Sequence, residues 1–316
     1  MSVAHQLVAY GGRGGTDLFR AGILVSGFTT GSYVGLNSIN RTQPAYDALV
    51  SSTGCTDAAD TVDCLRSVPL SSIYDIEDTL SVSWGPVIDG DFLQQPPAYA
   101  IADGKCARVP IILGSNSDEG LFMVNAANYF PNTTDELAGL IAEYFGLLSH
   151  DTIQKLLDTT PEGASVPPYS LAPDFPWCAA MAEANLSCGS QYRRAAALLG
   201  DYFAHASRRY MSQLWSQQGL DTYSFRFDTD PTALPITYWV GLGPGFAVHG
   251  AELAYEMGLP GGFTTSIDFY PPVKNVSTHI RLSHEMNKRW IAFAHSLDPN
   301  LVKCMWKTDS GCLYSP

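Results

Sequence analysis

The sequence predicts an α/β architecture built on a largely parallel sheet, and three observations carry that expectation. Two short apolar runs, Gly22-Ile23-Leu24-Val25-Ser26 and Val109-Pro110-Ile111-Ile112-Leu113-Gly114, have strand length and no polar alternation. Strands buried on both faces of a parallel sheet read this way. The segments between and after them space their apolar residues as helices do, so the strands are joined by crossovers rather than by hairpins.

Taken in order, the first element is a helix at the very start. Val3, Ala4, Leu7 and Val8 share one face, and Gly11-Gly12 stop it. The first strand follows at Gly22–Ser26. Pro44 to Val50 reads as a helix with proline in its first turn and Gly54 beyond its end. After the Cys55–Cys64 loop and a short helix, Trp84 to Phe92 is rich in turn residues and reads as a connector. The second strand ends in the polar cluster Ser115-Asn116-Ser117-Asp118-Glu119-Gly120. Thr133 and Glu136 form a capping box for a helix near Asp135–Phe145. The stretch of about 161–190 is rich in Pro, Ala and Ser and reads as an excursion over the surface. A long helix with Leu199, Phe203, Ala206, Tyr210 and Leu214 on one stripe runs to Gly219. Tyr223 to Phe227 alternates as a strand. A final helix, with Leu282, Met286, Trp290, Ala294 and Leu297 inward, stops at Asp298-Pro299.

Bulk properties narrow the function. With 316 residues, 46% hydrophobic and 16% charged, the chain can bury a sizeable core as one large domain or two smaller ones. A formal net charge of −13 argues against nucleic acid or an anionic membrane surface as the main partner. No apolar run approaches the ~18 residues of a membrane-spanning helix. The seven cysteines lack the close pairs of zinc sites. Local disulfides fit better: Cys55 with Cys64, Cys178 with Cys188 and Cys304 with Cys312, leaving Cys106 over. Sequons begin at Asn40, Asn132, Asn185 and Asn275, and together with the cysteines they favour a secreted, glycosylated protein. Yet the N-terminus has neither the basic nor the apolar region of an export signal.

Chemistry in open α/β sheets sits beyond the carboxyl ends of the strands. Glu119 lies just past such an end. His249 lies in the loop Gly243-Pro244-Gly245-Phe246-Ala247-Val248-His249-Gly250 after the next predicted strand. One carboxylate holding one ring nitrogen would leave the other nitrogen free to move protons. On position alone Asp118 is an equal candidate for the acid, and either acid could simply cap a helix.

Several stretches resemble the type-B carboxylesterases, the family of the fungal lipases and the cholinesterases. Gly114-Ser-Asn-Ser-Asp-Glu119-Gly120 with Phe122 resembles its acid motif, and Val248-His249-Gly250-Ala251-Glu252-Leu253-Ala254-Tyr255 its histidine motif. Leu18 to Gly27, Pro86 to Leu93 and Trp290 to Asn300 resemble three further segments in the family's order. The Cys55–Cys64 loop sits where the family keeps a short disulfide. The resemblance implies a single partial α/β-hydrolase domain over 1–316, with Glu119 as acid and His249 as base of a serine ester hydrolase acting on small-molecule or lipid esters. It implies no cofactor and no metal. Tyr238, Trp239, Phe246 and Phe122 would be near enough to line an acyl pocket.

One departure from the family is large. No G-x-S-x-G turn occurs in the chain, and Gly31-Ser32-Tyr33-Val34-Gly35 has its serine one place early. The family's elbow would fall just before Met1, together with the glycine-rich oxyanion loop and the first strands. The expectation is therefore the C-terminal part of the hydrolase fold, truncated at its N-terminus, inactive alone, and exposing an apolar sheet edge prone to aggregation. The alternative is a non-catalytic, cholinesterase-like binding protein.

Overall fold

The computed structural model describes residues 2–13, 17–28, 39–80, 84–127, 130–145, 148–160, 189–229, 247–258, 277–301, 306–308 and 311–313. Helix α1 (Ser2–Val8) buries Ala4, Leu7 and Val8, ends in a tight 3₁₀ turn over Ala9–Gly12, and packs against strand β1 (Gly22–Val25). Helices α2 (Ile39–Ser52), α3 (Thr61–Ser67) and α4 (Leu70–Glu77) come next. Then follow α5 (Pro97–Ala102), strand β2 (Ile111–Asn116), α6 (Glu119–Ala127), α7 (Thr134–Phe145) and α8 (His150–Thr159). Helix α9 (Tyr192–Gly200) passes through a π-helical turn at Asp201–Ala206 into α10 (Ser207–Gln217). Strand β3 (Thr222–Phe227), the short α11 (Leu253–Glu256), α12 (Ser277–Ser296) and a hairpin of β4 (Trp306–Thr308) and β5 (Gly311–Leu313) complete the order.

The chain, read as one domain from its sequence, forms two compact units. One comprises Met1–Tyr33 with Pro97–Pro316, the other Val34–Pro96. In the smaller unit α2 packs on α4, Asp60 caps α3 through the Val62 and Asp63 N–H groups, and Cys55 bonds Cys64. In the larger unit β1, β2 and β3 lie in that order, all parallel, with Leu24, Ile111, Ile112 and Leu113 buried. Of the two apolar runs, β2 is buried along its whole length as expected, whereas β1 alternates, with Ile23 and Val25 only half-buried. Half of the capping box forms, with the Glu136 N–H donating to Thr133 Oγ1 at 3.1 Å, while the return bond reaches one residue further back. The Glu136 carboxylate in turn accepts from the Asn132 N–H at 2.7 Å.

Four helix readings change. In α1 Val3 is exposed, and the buried face runs through Ala4, Leu7 and Val8. Helix α2 begins at Ile39, so Pro44 lies inside it rather than in its first turn. The long helix does not keep one stripe. Its π-helical turn adds a residue to the repeat, so Ala204 is buried within the turn and Ser207, Met211 and Trp215 join Leu214 on the buried face beyond it, while Ala206 and Tyr210 are exposed. In α12 the inward face is Ser283, Met286, Ala292 and Phe293, and Ala294 points to solvent. Cys178, Cys188, Cys304 and the 161–188 excursion lie outside the described residues, as do Asn185 and Asn275. Cys312 falls in β5, and Cys106 is free and buried.

Helix α6 meets α9 at Gly120, where closeness rather than conformation demands glycine. A Cβ there would stand 1.8 Å from the Ala196 carbonyl oxygen and 2.6 Å from the Gly200 nitrogen. Both neighbours are backbone, so neither can yield without moving a helix. Leu121, Val124, Leu137, Leu140, Leu157 and Leu199 close the core shared by α6 to α9. Gly139 in α7 is the opposite case, since nothing lies within 4 Å of its would-be Cβ. Gly120→Ala is expected to lower the urea unfolding midpoint by an amount equivalent to about 1–3 kcal/mol. Gly139→Ala should raise it by about 0.5–1 kcal/mol. Equal responses of the two variants would contradict this account of the α6–α9 contact.

Candidate active site

The carboxyl ends of β1 and β2 and the loop after β3 converge on one buried carboxylate. Glu119 opens α6 directly after β2 and is fully buried. Ser26, the residue after β1, donates its hydroxyl to Glu119 Oε1. The Asn116 N–H donates to the same oxygen at 2.7 Å. Glu119 Oε2 receives His249 Nδ1 at 2.6 Å. Because the acceptor is a carboxylate, Nδ1 carries the proton, which leaves Nε2 as the basic nitrogen. No described residue hydrogen-bonds Nε2. The His249 side chain is 32% exposed against 0% for Glu119, so the imidazole bridges the interior and an accessible surface.

Local geometry explains why Glu119, and not its neighbour, meets the imidazole. At the end of β2 the Asp118 N–H donates to the Ala247 carbonyl at 2.9 Å, and Asp118 pairs with Val248 in a single parallel bridge. The Asp118 carboxylate accepts from the Ala247 N–H at 2.8 Å. Asp118 therefore holds the histidine loop, while the next residue faces the imidazole. Ser26 takes a left-handed backbone (φ +49) that non-glycine residues seldom adopt, and its N–H is fastened to the Gly114 carbonyl at 2.8 Å. Strain at a strand end is thus used to aim a hydroxyl.

Aromatic rings flank the imidazole. Phe122 of α6 stands 5.0 Å from it, and Phe203, from the π-helical turn, meets it edge-on at 5.9 Å. Phe122 is where the sequence suggested an apolar wall. Tyr238, Trp239 and Phe246 lie outside the described residues. Ser26, Asn116, Glu252 and Phe203 were not legible as site residues. Asn116 and Glu252 sit inside the two motifs, yet nothing in their spacing shows that they touch. The Asn116 amide donates to the Val248 carbonyl at 2.9 Å and also to the Glu252 carboxyl. Among the described residues no group of three or more His, Cys, Asp or Glu side chains could hold a metal ion.

Burial sets the protonation pattern. Desolvation works against an imidazolium at His249, but the hydrogen bond and charge of Glu119, with the charge of Glu252, outweigh it and raise its pKa. Burial, reinforced by the charge of Glu119, pushes the Glu252 carboxyl up to about 7. Burial, reinforced by Glu252, pushes Glu256 up to about 8. Asp118 is pushed up to about 7 by burial against the opposing Ala247 hydrogen bond.

These carboxyls keep their protons in the folded state where the unfolded chain loses them, so each makes stability fall as pH rises from about 4 to about 8. The raised His249 has the same sign: its contribution is complete below its unfolded value and is lost as pH climbs through the folded one. The urea midpoint is therefore expected to decline between pH 5 and pH 8, a window spanned by these groups. Glu252→Gln, which cannot ionise, should flatten the decline. A midpoint that rises across the window contradicts the assignment.

Comparison with known proteins matches this chain to one family. Residues 1–310 match the Carboxylesterase family. The chain is 30% identical to Lipase 4 of Diutina rugosa over 316 aligned residues, covering 95% of this chain and 49% of that one. It is also 30% identical to Secreted lipase 1 of Botryotinia fuckeliana over 226 residues, covering 66% of this chain and 36% of that lipase. It thus spans half or less of the length of these curated relatives. The crystal structure of Aspergillus niger EstA superposes with a TM-score of 0.67 at 18% identity, over 98% of this chain and 55% of EstA, which shows the α/β-hydrolase fold. With its parallel strands delivering an acid and a histidine to one point, this chain belongs to the carboxylesterase family.

Proposed function

We propose that Glu119 and His249 are the acid and general base of a serine carboxylic-ester hydrolase. The observation that carries the reading is the 2.6 Å contact between Glu119 Oε2 and His249 Nδ1, in a chain whose family hydrolyses carboxylic esters. In such a reaction His249 Nε2 takes the proton of an attacking serine hydroxyl, and Glu119 stabilises the imidazolium that results. The serine then forms an acyl-enzyme, and Nε2 returns its proton to the departing alcohol. Phe122 and Phe203 offer an apolar wall beside the imidazole that suits an acyl chain. The 316 residues hold no G-x-S-x-G turn to supply that serine, so by themselves they are expected to be inactive.

A secretory route accords with the Cys55–Cys64 disulfide, with the exposed sequon at Asn132, and with relatives named as secreted lipases. No helix among the described residues is long and apolar enough to cross a membrane.

The test has two arms. Residues 1–316 alone should leave p-nitrophenyl butyrate and caprylate at their buffer rate of hydrolysis, and turnover abolished by His249→Ala in that chain would overturn the inactivity. The transcript upstream should contain an in-frame G-x-S-x-G, and its product should hydrolyse the same esters. In that product His249→Ala is expected to cost about four to six orders of magnitude in kcat, and Glu119→Gln about four. Retained activity in either variant removes the corresponding role.

A further inference from the structure

Asn116 is the last residue of β2 and is fully buried. Its two polar ends grip different parts of the chain. The main-chain N–H donates to Glu119 Oε1 at 2.7 Å, and the side-chain Nδ2 donates to the Val248 carbonyl at 2.9 Å and to Glu252 Oε2. Val248 and Glu252 bracket His249, one residue before it and three after. Glu252 is itself buried, at 2% exposure, directly ahead of α11. One amide group therefore ties the strand that carries the acid to both sides of the loop that carries the histidine.

Few other contacts do this job. Asp118 binds the loop further back, at Ala247. Beyond His249, Ser283 Oγ and Asn287 Nδ2 reach the Tyr255 carbonyl from α12, which fixes α11 to that helix rather than to β2. We propose that Asn116 is a positioning residue for His249, its carboxamide setting the seat of the histidine loop against Glu119. The inference rests on the acid–base reading above and adds to it the part that maintains the pair's distance.

Physical chemistry supports an amide at this place. A hydrogen bond from Nδ1 to a carboxylate at 2.6 Å weakens steeply as the partners separate. Two buried acceptors, the Val248 carbonyl and the Glu252 carboxyl, need donors that come without charge. A Lys or Arg at 116 would compete with His249 for Glu119, and an aliphatic side chain would leave both acceptors unanswered. The NH₂ group supplies two neutral donors in one plane. Glu252, pushed up to about 7 by burial and the nearby Glu119, is a matching partner that adds little negative charge below neutrality.

The test reads the histidine itself. Residues 1–316 are labelled with ¹⁵N-histidine, and His249 is assigned among the seven histidines by its loss in His249→Gln. In the parent chain a low-field Nδ1–H proton and a raised titration midpoint are expected. Asn116→Leu, similar in size but without donors, should erase that proton and lower the midpoint by about one pH unit, a tenfold change in proton affinity. Glu252→Gln keeps an acceptor for the amide and should preserve the low-field proton, its midpoint falling only through loss of the Glu252 charge, whereas Glu252→Leu should lose that proton as Asn116→Leu does. Should Asn116→Leu fail to give the parent's far-ultraviolet circular dichroism, Asn116→Ser is read instead. Its short hydroxyl cannot reach the two acceptors, and the same loss is expected. A folded Asn116 variant with an unchanged midpoint and an intact low-field proton overturns the inference. Glu119→Gln separates it from the reading beneath. If that variant leaves the midpoint unchanged the acid–base pair itself is wrong, and if it lowers the midpoint while the Asn116 variants do not, only the positioning role fails.

Discussion

A carboxylate withdrawn from water must be answered by donors or it will not stay charged, and Glu119 is withdrawn completely. Its donors come from three distant parts of the chain. Ser26 follows β1, Asn116 ends β2, and His249 lies in the loop that bridges to Asp118. None of them is a fixed cation. The site is therefore satisfied only when the β1–β2 pairing, the turn after β2 and the seat of the histidine loop are all in place.

The packing around the carboxylate follows from that demand. Helix α6 has to begin at Glu119, so Gly120 must pass the backbone of α9 with no side chain between them. The helix running from α9 to α10 cannot remain regular while serving both the core and the site. Its π-helical turn presents Phe203 to His249, and within the same turn His205 approaches Ser115 Oγ and the Ser117 carbonyl. π-Helical turns are costly, and they tend to persist where function needs a side chain re-aimed. On the opposite side Phe227, Ala247, Ala251, Tyr255 and Met286 form an apolar cluster beneath the loop, so His249 is aimed from a packed base.

The acids around the pair are arranged so that few of them carry charge together. Asp118, Glu252 and Glu256 are all raised by burial, and Glu119 or Glu252 lifts the next in turn. An imidazolium forming at Nδ1–Nε2 thus meets the charge of Glu119 first, in surroundings that screen it poorly. Such a group of acids costs stability toward alkaline pH. A site that concentrates one negative charge on one ring nitrogen accepts that cost.

Much of this was legible from residue order. An unbroken apolar run such as Ile111–Leu113 fits only a strand covered on both faces, and the Thr133–Glu136 box and the Cys55–Cys64 loop need only local chain geometry. The motif holding Glu119 was legible as a turn at a strand end, and the motif holding His249 through its family resemblance. What the residues alone left open were the choices made by distant neighbours. Asp118 and Glu119 were equivalent until the chain turned out of β2 and gave one to the Ala247 backbone and the other to the imidazole. The stripe through Tyr210 was broken by a π-helical turn that a 3.6-residue period cannot register. Residue order alone was enough for the strands and the local caps, because those depend on nearest neighbours along the chain. Which acid meets the histidine, and that Asn116 joins them, was settled by the fold, because hydrogen bonds between residues more than a hundred positions apart exist only after the sheet has formed.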